Sequence, residues 1–142
     1  MYQQAWQKML QANHILIVSH VHPDGDTLGS ALALYEVLKN AEKKVSHYNK
    51  TKELPYVYDF LPGFSKIKNE LPKGFDLVIS CDCSTLDRLK LPEGAYEIIN
   101  IDHHITNHYF GMMNLVVDRF TSAGMVVYEL LKANEIAITK EC

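Results

Sequence analysis

The sequence predicts an α/β fold, an open and mostly parallel sheet with helices on both faces. Two observations predict it. Short apolar runs rich in β-branched residues alternate with amphipathic stretches along the whole chain, as in buried strands joined by crossover helices. Three of those runs end in Asp or His, at Ser19-His20, Cys81-Asp82 and Asp102-His103-His104. In open α/β sheets the ligand crevice lies beyond the carboxyl ends of the strands. The composition agrees: 142 residues, 47% apolar and 22% charged, describe one domain with a real core rather than a disordered, fibrous or repeat chain. No apolar run reaches the length of a membrane span.

Each element has a local reason. Residues 2–12 read as a helix with Ala5, Trp6, Met9 and Leu10 on one face. HILIVSH (14–20) reads as a buried strand, and Pro23 and Gly25 punctuate the following loop, 22–26. Residues 27–40 form a helix with Leu28, Ala31, Leu32, Tyr35 and Leu38 facing inward, capped by Asp26 or Thr27. A second strand covers 45–48. Pro55, Pro62 and Gly63 break 53–63 into a short helix and loops. Further strands are expected at 76–82, 96–104 and, at an edge, 113–118. Residues 84–89 form a loop or short helix, and 121–134 a helix capped by Thr121 or Ser122.

The formal charge of −3 argues against a basic surface for long nucleic acid. A short charged substrate held by local groups remains compatible with it. Three cysteines do not make a disulfide scaffold. Cys81 and Cys83 alternate within a strand and should both point away from the face of Asp82, in packing roles. The polar start MYQQAWQKML lacks the apolar centre of a secretion signal, so a cytoplasmic protein with free thiols is expected.

His20, Asp24 and Asp26 form an H-x3-D-x-D pattern in a strand-to-helix loop. Imidazole and carboxylate donors together suit Mn²⁺, Zn²⁺, Fe²⁺ or Mg²⁺ better than a thiolate site does. Asp24 and Asp26 can turn to two different ions, with Asp82 bridging from a neighbouring strand. Two ions about 3.5–4 Å apart clamp a phosphoryl group for hydrolysis. Helix capping by Asp24 and Asp26 and simple packing of His20 explain the same residues without metal. In Asp102-His103-His104, adjacent side chains at a strand end point different ways, so the two histidines should not share one ion. One can ligate while the other reaches a phosphate, and Asp102 can hold an imidazole N–H.

HVHPDGDTLGS (20–30), the strand end at Asp82, Asp102-His103-His104 and the helix TSAGMVVYELL (121–131) together resemble the signature motifs of the DHH phosphoesterase superfamily. The likeness covers nearly the whole chain. It is greatest to the branch of bacterial oligoribonucleases that also dephosphorylate 3′-phosphoadenosine 5′-phosphate. RecJ-like exonucleases and family II inorganic pyrophosphatases belong to the same superfamily. The resemblance implies two Mn²⁺ ions, one held by His20 and Asp24 and one by Asp26 and His103, with Asp82 bridging. It implies that His104 faces the substrate phosphate and that Asp102 supports the histidine pair, these two forming the catalytic set. Thr27 stands where many relatives have Ala, and Gly124 where a larger residue is common.

Family members carry a further metal-binding Asp in a DTG-like strand end, then a smaller substrate-binding domain with a glycine-rich, His-containing segment. Neither has a counterpart here. Asp118 comes too early and is followed by Arg119 and Phe120. Residues 1–142 are therefore expected to be an N-terminal DHH domain incomplete at its C-terminus, inactive on its own. The partners implied are a short oligonucleotide or a nucleoside bisphosphate, with no long duplex and no membrane. A homodimer is left open, as is a non-catalytic domain that binds metal or nucleotide without turnover.

Arg119 and Ser122, beside a helix start, are candidates for further phosphate contact, although exposure and plain capping also account for them. His14, His47 and His108 read as structural or surface residues. The aromatic stretch 56–60 has the composition to stack a base, with core packing or a partner-helix contact the favoured reading.

Overall fold

The computed structural model describes residues 1–140 and 142. Helix α1 (Tyr2–Gln11) leads into β1 (His14–Ser19), α2 (Gly25–Asn40), β2 (Lys44–Tyr48), β3 (Ile67–Lys68), β4 (Leu77–Cys81), β5 (Ile98–Asp102), β6 (Met113–Val116) and α3 (Ala123–Ala133). Short 3₁₀ turns cover Tyr56–Tyr58, Phe64–Lys66 and Leu86–Leu89. The sheet has six strands in the order β3-β2-β1-β4-β5-β6, and every pairing is parallel. The α/β sheet and the edge position of residues 113–116 agree with the sequence. The two-residue strand β3 carries no pattern that sequence could show.

The chain builds outward from β1 to β2 and β3 on one side. It then returns to β4 and proceeds to β5 and β6 on the other. The strand order therefore reverses between β1 and β4, which opens a crevice at their carboxyl ends. His20 and Asp82 follow those two strands directly.

Every residue of β1, β4 and β5 is buried. Ile15, Ile17, Ile79, Ile99 and Ile101 pack with Ala5, Trp6 and Met9 of α1, Leu34 and Leu38 of α2, and Val126 and Leu130 of α3. Burying one such side chain stabilises by about 1.5–3 kcal/mol. Leu10 of α1 turns outward instead. The opposite strand face, with Leu16, Val18, Val78 and Ile98, is covered by Leu89 of the 86–89 turn and by Phe75 and Tyr96. Its helical cover is that single turn. At the amino end of β1, Asp76 accepts the backbone N–H groups of Asn13 and His14.

Helix α2 starts earlier than the sequence suggests. Its cap is Asp24, whose Oδ1 accepts from the Thr27 N–H at 3.0 Å, rather than Asp26 or Thr27. Ser122 caps α3 as expected. Cys81 and Cys83 do not share a face: Cys81 lies in the helix-side core and Cys83 in the opposite cluster. Asp82 between them has φ 57°, a left-handed conformation that breaks the strand alternation. The core reading of the 56–60 stretch fails for Tyr56 and Phe60, which are 81% and 75% exposed. Tyr58 alone packs inward, beside Leu28, Leu32 and Ile67.

Candidate metal centre

Of the residues singled out in the sequence, the crevice gathers His20, Asp24, Asp82, His103 and His104. His20, Asp24 and Asp82 each bring one ligand atom within 4.8 Å of one another, and Asp82, His103 and His104 form a second such group. Asp82 belongs to both. It is 2% exposed, and its left-handed backbone turns the carboxylate into the crevice between the two groups. Asp is among the few residues that adopt this conformation readily.

The Asp82 carboxylate is electrostatically frustrated. Oδ2 accepts from the Thr27 hydroxyl at 2.6 Å, whereas Oδ1 is buried with no hydrogen-bond partner. Burial pushes the Asp82 pKa up, but hydrogen bonds from His20 and Thr27 and the charges of His104 and His20 outweigh it, leaving the pKa below the ordinary carboxylate value. A buried, ionised oxygen without a donor calls for a cation. The imidazole and carboxylate donors around it fit a divalent metal of the Mn²⁺, Mg²⁺, Fe²⁺ or Zn²⁺ type.

Asp26 serves two neighbours. Its Oδ2 accepts the Ala123 N–H at 2.8 Å and its Oδ1 the Gly124 N–H at 3.0 Å. The carboxylate thus sits on the amino end of α3, where the helix dipole favours negative charge. Asp26 Oδ2 also lies 3.4 Å from His103 Nε2. The opening amides of α3 are therefore taken by a protein carboxylate, so the α3 start is not an open phosphate cradle. Ser122 spends its hydroxyl on the Met125 N–H. Arg119 is exposed, with its guanidinium over the Phe120 ring. Among the described residues no ion pair joins it to the cluster.

The two histidines do not diverge. Their ring centroids are 4.4 Å apart, and both reach Asp82 Oδ1, at 3.5 Å from His103 Nε2 and 3.6 Å from His104 Nδ1. Strand β5 ends at Asp102, so the pleat no longer dictates alternation at 103–104. His104 Nδ1 donates to Asp102 Oδ1 at 2.7 Å. Burial pushes the His104 pKa down, but this bond and the charges of Asp102, Asp82 and Asp26 raise it above the ordinary value.

Three contributors escaped sequence reasoning. Asn107 Nδ2 donates to Asp102 Oδ2 at 2.5 Å and to the Cys83 carbonyl at 3.1 Å, which anchors the carboxylate behind His104. Its place three residues after His104 is a local signal that turn chemistry could have flagged. Arg88, on the 86–89 turn, brings Nη2 to 3.1 Å from His20 Nδ1. Sixty-eight residues separate them, so no local signal existed. Thr27 read only as a helix cap, yet its hydroxyl lies 2.6 Å from His20 Nε2.

Comparisons with known proteins agree with this geometry. The chain is 31% identical over 147 residues to the bifunctional oligoribonuclease and PAP phosphatase NrnA of Thermus thermophilus, an alignment covering 96% of this chain and 44% of that protein. It is 27% identical over 136 residues to a probable manganese-dependent inorganic pyrophosphatase of Streptococcus mutans, covering 89% of this chain and 44% of that one. The crystal structure of an exopolyphosphatase-related protein from Bacteroides fragilis superposes with a TM-score of 0.83 and 26% identity, over 99% of this chain and 46% of the other. The chain thus spans less than half the length of these relatives. Residues 14–142 match the DHH family, N-terminal domain, and the chain belongs to the DHH family.

Proposed function

We propose that this chain is the metal-binding part of a divalent-metal-dependent phosphoesterase. In the whole protein it would hydrolyse short oligoribonucleotides and 3′-phosphoadenosine 5′-phosphate. The observation that carries this reading is Asp82, a buried carboxylate shared by two ligand groups, with one oxygen left without a donor. His20 and Asp24 would hold one ion, Asp26 and His103 the other, and Asp82 both. Mn²⁺ is the favoured metal, supported by the likeness to the probable manganese-dependent pyrophosphatase of Streptococcus mutans. When bound, such ions polarise phosphoryl oxygens and acidify a water.

The chain's own residues then orient the substrate. His104, protonated on Nδ1 against Asp102, turns Nε2 outward, and its raised pKa favours a second proton there for a phosphoryl oxygen. Asp102 fixes the ring, and Asn107 fixes Asp102. Water oxygen joins phosphorus as the ester bond breaks, and the departing oxygen takes a proton from solvent.

Tyr56 and Phe60 favour a nucleotide over pyrophosphate. Their turn is pinned by Tyr58 beside Gly25, where an added Cβ would stand 3.2 Å from Tyr58 Cε1. Tyr56 and Phe60, on the same turn, are exposed aromatic faces of the kind that stack a base. Further grip on the nucleotide belongs to parts of the whole protein outside residues 1–142, in keeping with the length of its relatives. A cytoplasmic setting suits the free thiols of Cys81 and Cys83. A homodimer is compatible with this role. No helix among the described residues is long and apolar enough to cross a membrane.

The test is hydrolysis by the full-length protein with Mn²⁺, measured against RNA length, 3′-phosphoadenosine 5′-phosphate and pyrophosphate. Rates should be highest on RNAs of about two to five residues and on the bisphosphate, because few phosphates need few basic contacts. Preference for long single strands, or hydrolysis of pyrophosphate alone, would refute the substrate assignment and leave the metal reading standing.

A further inference from the structure

Asp82 presents different oxygens to its two ligand groups. Oδ1, near His103 and His104, has no donor. Oδ2, near His20, is held by Thr27 Oγ1 at 2.6 Å. The same hydroxyl oxygen is 2.6 Å from His20 Nε2 and 3.1 Å from Asp24 Oδ1. One atom of the protein thus touches all three members of the His20–Asp24–Asp82 group, in the space between them.

Divalent ions of this class sit about 2.0–2.2 Å from nitrogen and oxygen ligands. The Thr27 oxygen is therefore a protein atom standing in for an ion, at hydrogen-bond lengths instead of coordination lengths. It is not free to swing away. Thr27 is fully buried, its N–H is tied to Asp24 Oδ1, and a β-branched side chain has few χ1 choices in a helix. A hydroxyl has a single proton, so it satisfies one carboxylate at a time and neutralises neither. The Oδ1 side has no such plug, and His103 and Asp26 line it with partial access to solvent.

We propose that the two sides of Asp82 load unequally with divalent cations. The Oδ1 side fills first and more tightly. The Oδ2 side fills second, against the Thr27 hydroxyl, which sets its affinity. This rests on the metal-dependent reading above and adds an order of filling and a residue that controls it.

The experiment is a Mn²⁺ titration of this chain by calorimetry, with paramagnetic resonance counting free ion and melting curves confirming the fold. The wild type should show two unequal sites, at least about tenfold apart, the range that one buried hydrogen bond can set. Thr27→Ala and Thr27→Val should tighten the weaker site by about tenfold, while Thr27→Ser, which keeps the hydroxyl, stays close to wild type. His103→Ala should remove the tighter site. Two equal sites in the wild type would overturn the proposal alone, as would weaker second-site binding in folded Thr27→Ala. Absence of Mn²⁺ uptake by the folded wild type would overturn it together with the metal-dependent reading. The inequality of the two sites is read in the wild type and their identity in His103→Ala, so a misfolded Thr27 variant does not shield the proposal.

Discussion

His104 Nδ1 lies 2.7 Å from Oδ1 of Asp102, a carboxylate with no exposed surface whose other oxygen is held by Asn107. The imidazole is therefore braced from behind and leaves Nε2 for a ligand. In the full-length protein, His104→Ala should lower kcat by about 10²-fold or more and leave Mn²⁺ uptake at the Asp82 sites largely intact. Turnover and metal stoichiometry measured on the same preparation check this. Loss of metal along with activity would make His104 a ligand instead.

Asn107→Ala removes the brace and leaves a buried carboxylate oxygen without its donor. The expected cost is about 1–3 kcal/mol of folding stability, measured by urea unfolding. Asn107→Asp should be worse, because it sets a second negative charge against Asp102.

Asp82→Asn should fold, since Asn also accepts the left-handed backbone. It should no longer show the rise in Tm that Mn²⁺ gives the wild type by binding the native state. Chelation of the wild type should lower its Tm to the same metal-free value. Asp82→Ala adds backbone strain of about 1–2 kcal/mol to the loss of metal. Thermal melts with and without Mn²⁺ and chelator separate the two effects.

His47 has a proton linkage of its own. It is fully buried with Nε2 on Ser19 Oγ, and burial pushes its pKa from 6.5 down to about 3. The unfolded chain takes up a proton below pH 6.5 that the folded chain refuses. The stability contribution is thus complete above pH 6.5. It falls as pH drops from 6.5 toward 3, by about 1.4 kcal/mol per pH unit. His47→Gln should flatten urea-unfolding stability against pH by about one proton over that window. An unchanged slope would place the titration elsewhere.

Two glycines should respond oppositely to Ala. A Cβ on Gly124 meets Ser122 Oγ at 3.5 Å and Asp26 Oδ1 at 3.6 Å, ordinary contact in the first turn of α3. Gly124→Ala should therefore stabilise by about 0.4–1 kcal/mol. A Cβ on Gly111 would lie 2.6 Å from the Met113 carbonyl oxygen, so Gly111→Ala should destabilise. Paired denaturation curves decide both.

The sheet was legible because β1, β4 and β5 are buried on both faces, and such strands read as unbroken apolar runs in the sequence. The convergence of His20, Asp82 and His103 was legible for a topological reason: each follows the carboxyl end of a parallel strand. What stayed hidden depends on single torsions or distant contacts. The φ of 57° at Asp82 sends Cys81 and Cys83 to opposite faces, against the alternation rule. The end of β5 at Asp102 lets two adjacent histidines face one carboxylate. The approach of Arg88 to His20 exists only once the 86–89 turn has docked. The corrected cap of α2 reflects competition between equivalent residues: Asp24, Asp26 and Thr27 all suit a cap, and only packing against α3 claims Asp26.

That claim has a consequence for biosynthesis. Asp26 and Ala123 are 97 residues apart in the chain, so the amides that orient the carboxylate leave the ribosome long after β1 and α2. A nascent chain can form β1 and α2 early, since domains begin to fold during synthesis, but it has nothing yet to aim Asp26. The proposed pair of cation positions becomes whole only after α3 docks. On the proposed metal reading, uptake is thereby deferred until translation has delivered α3, and chains that stop short of it are poor competitors for the cell's divalent ions.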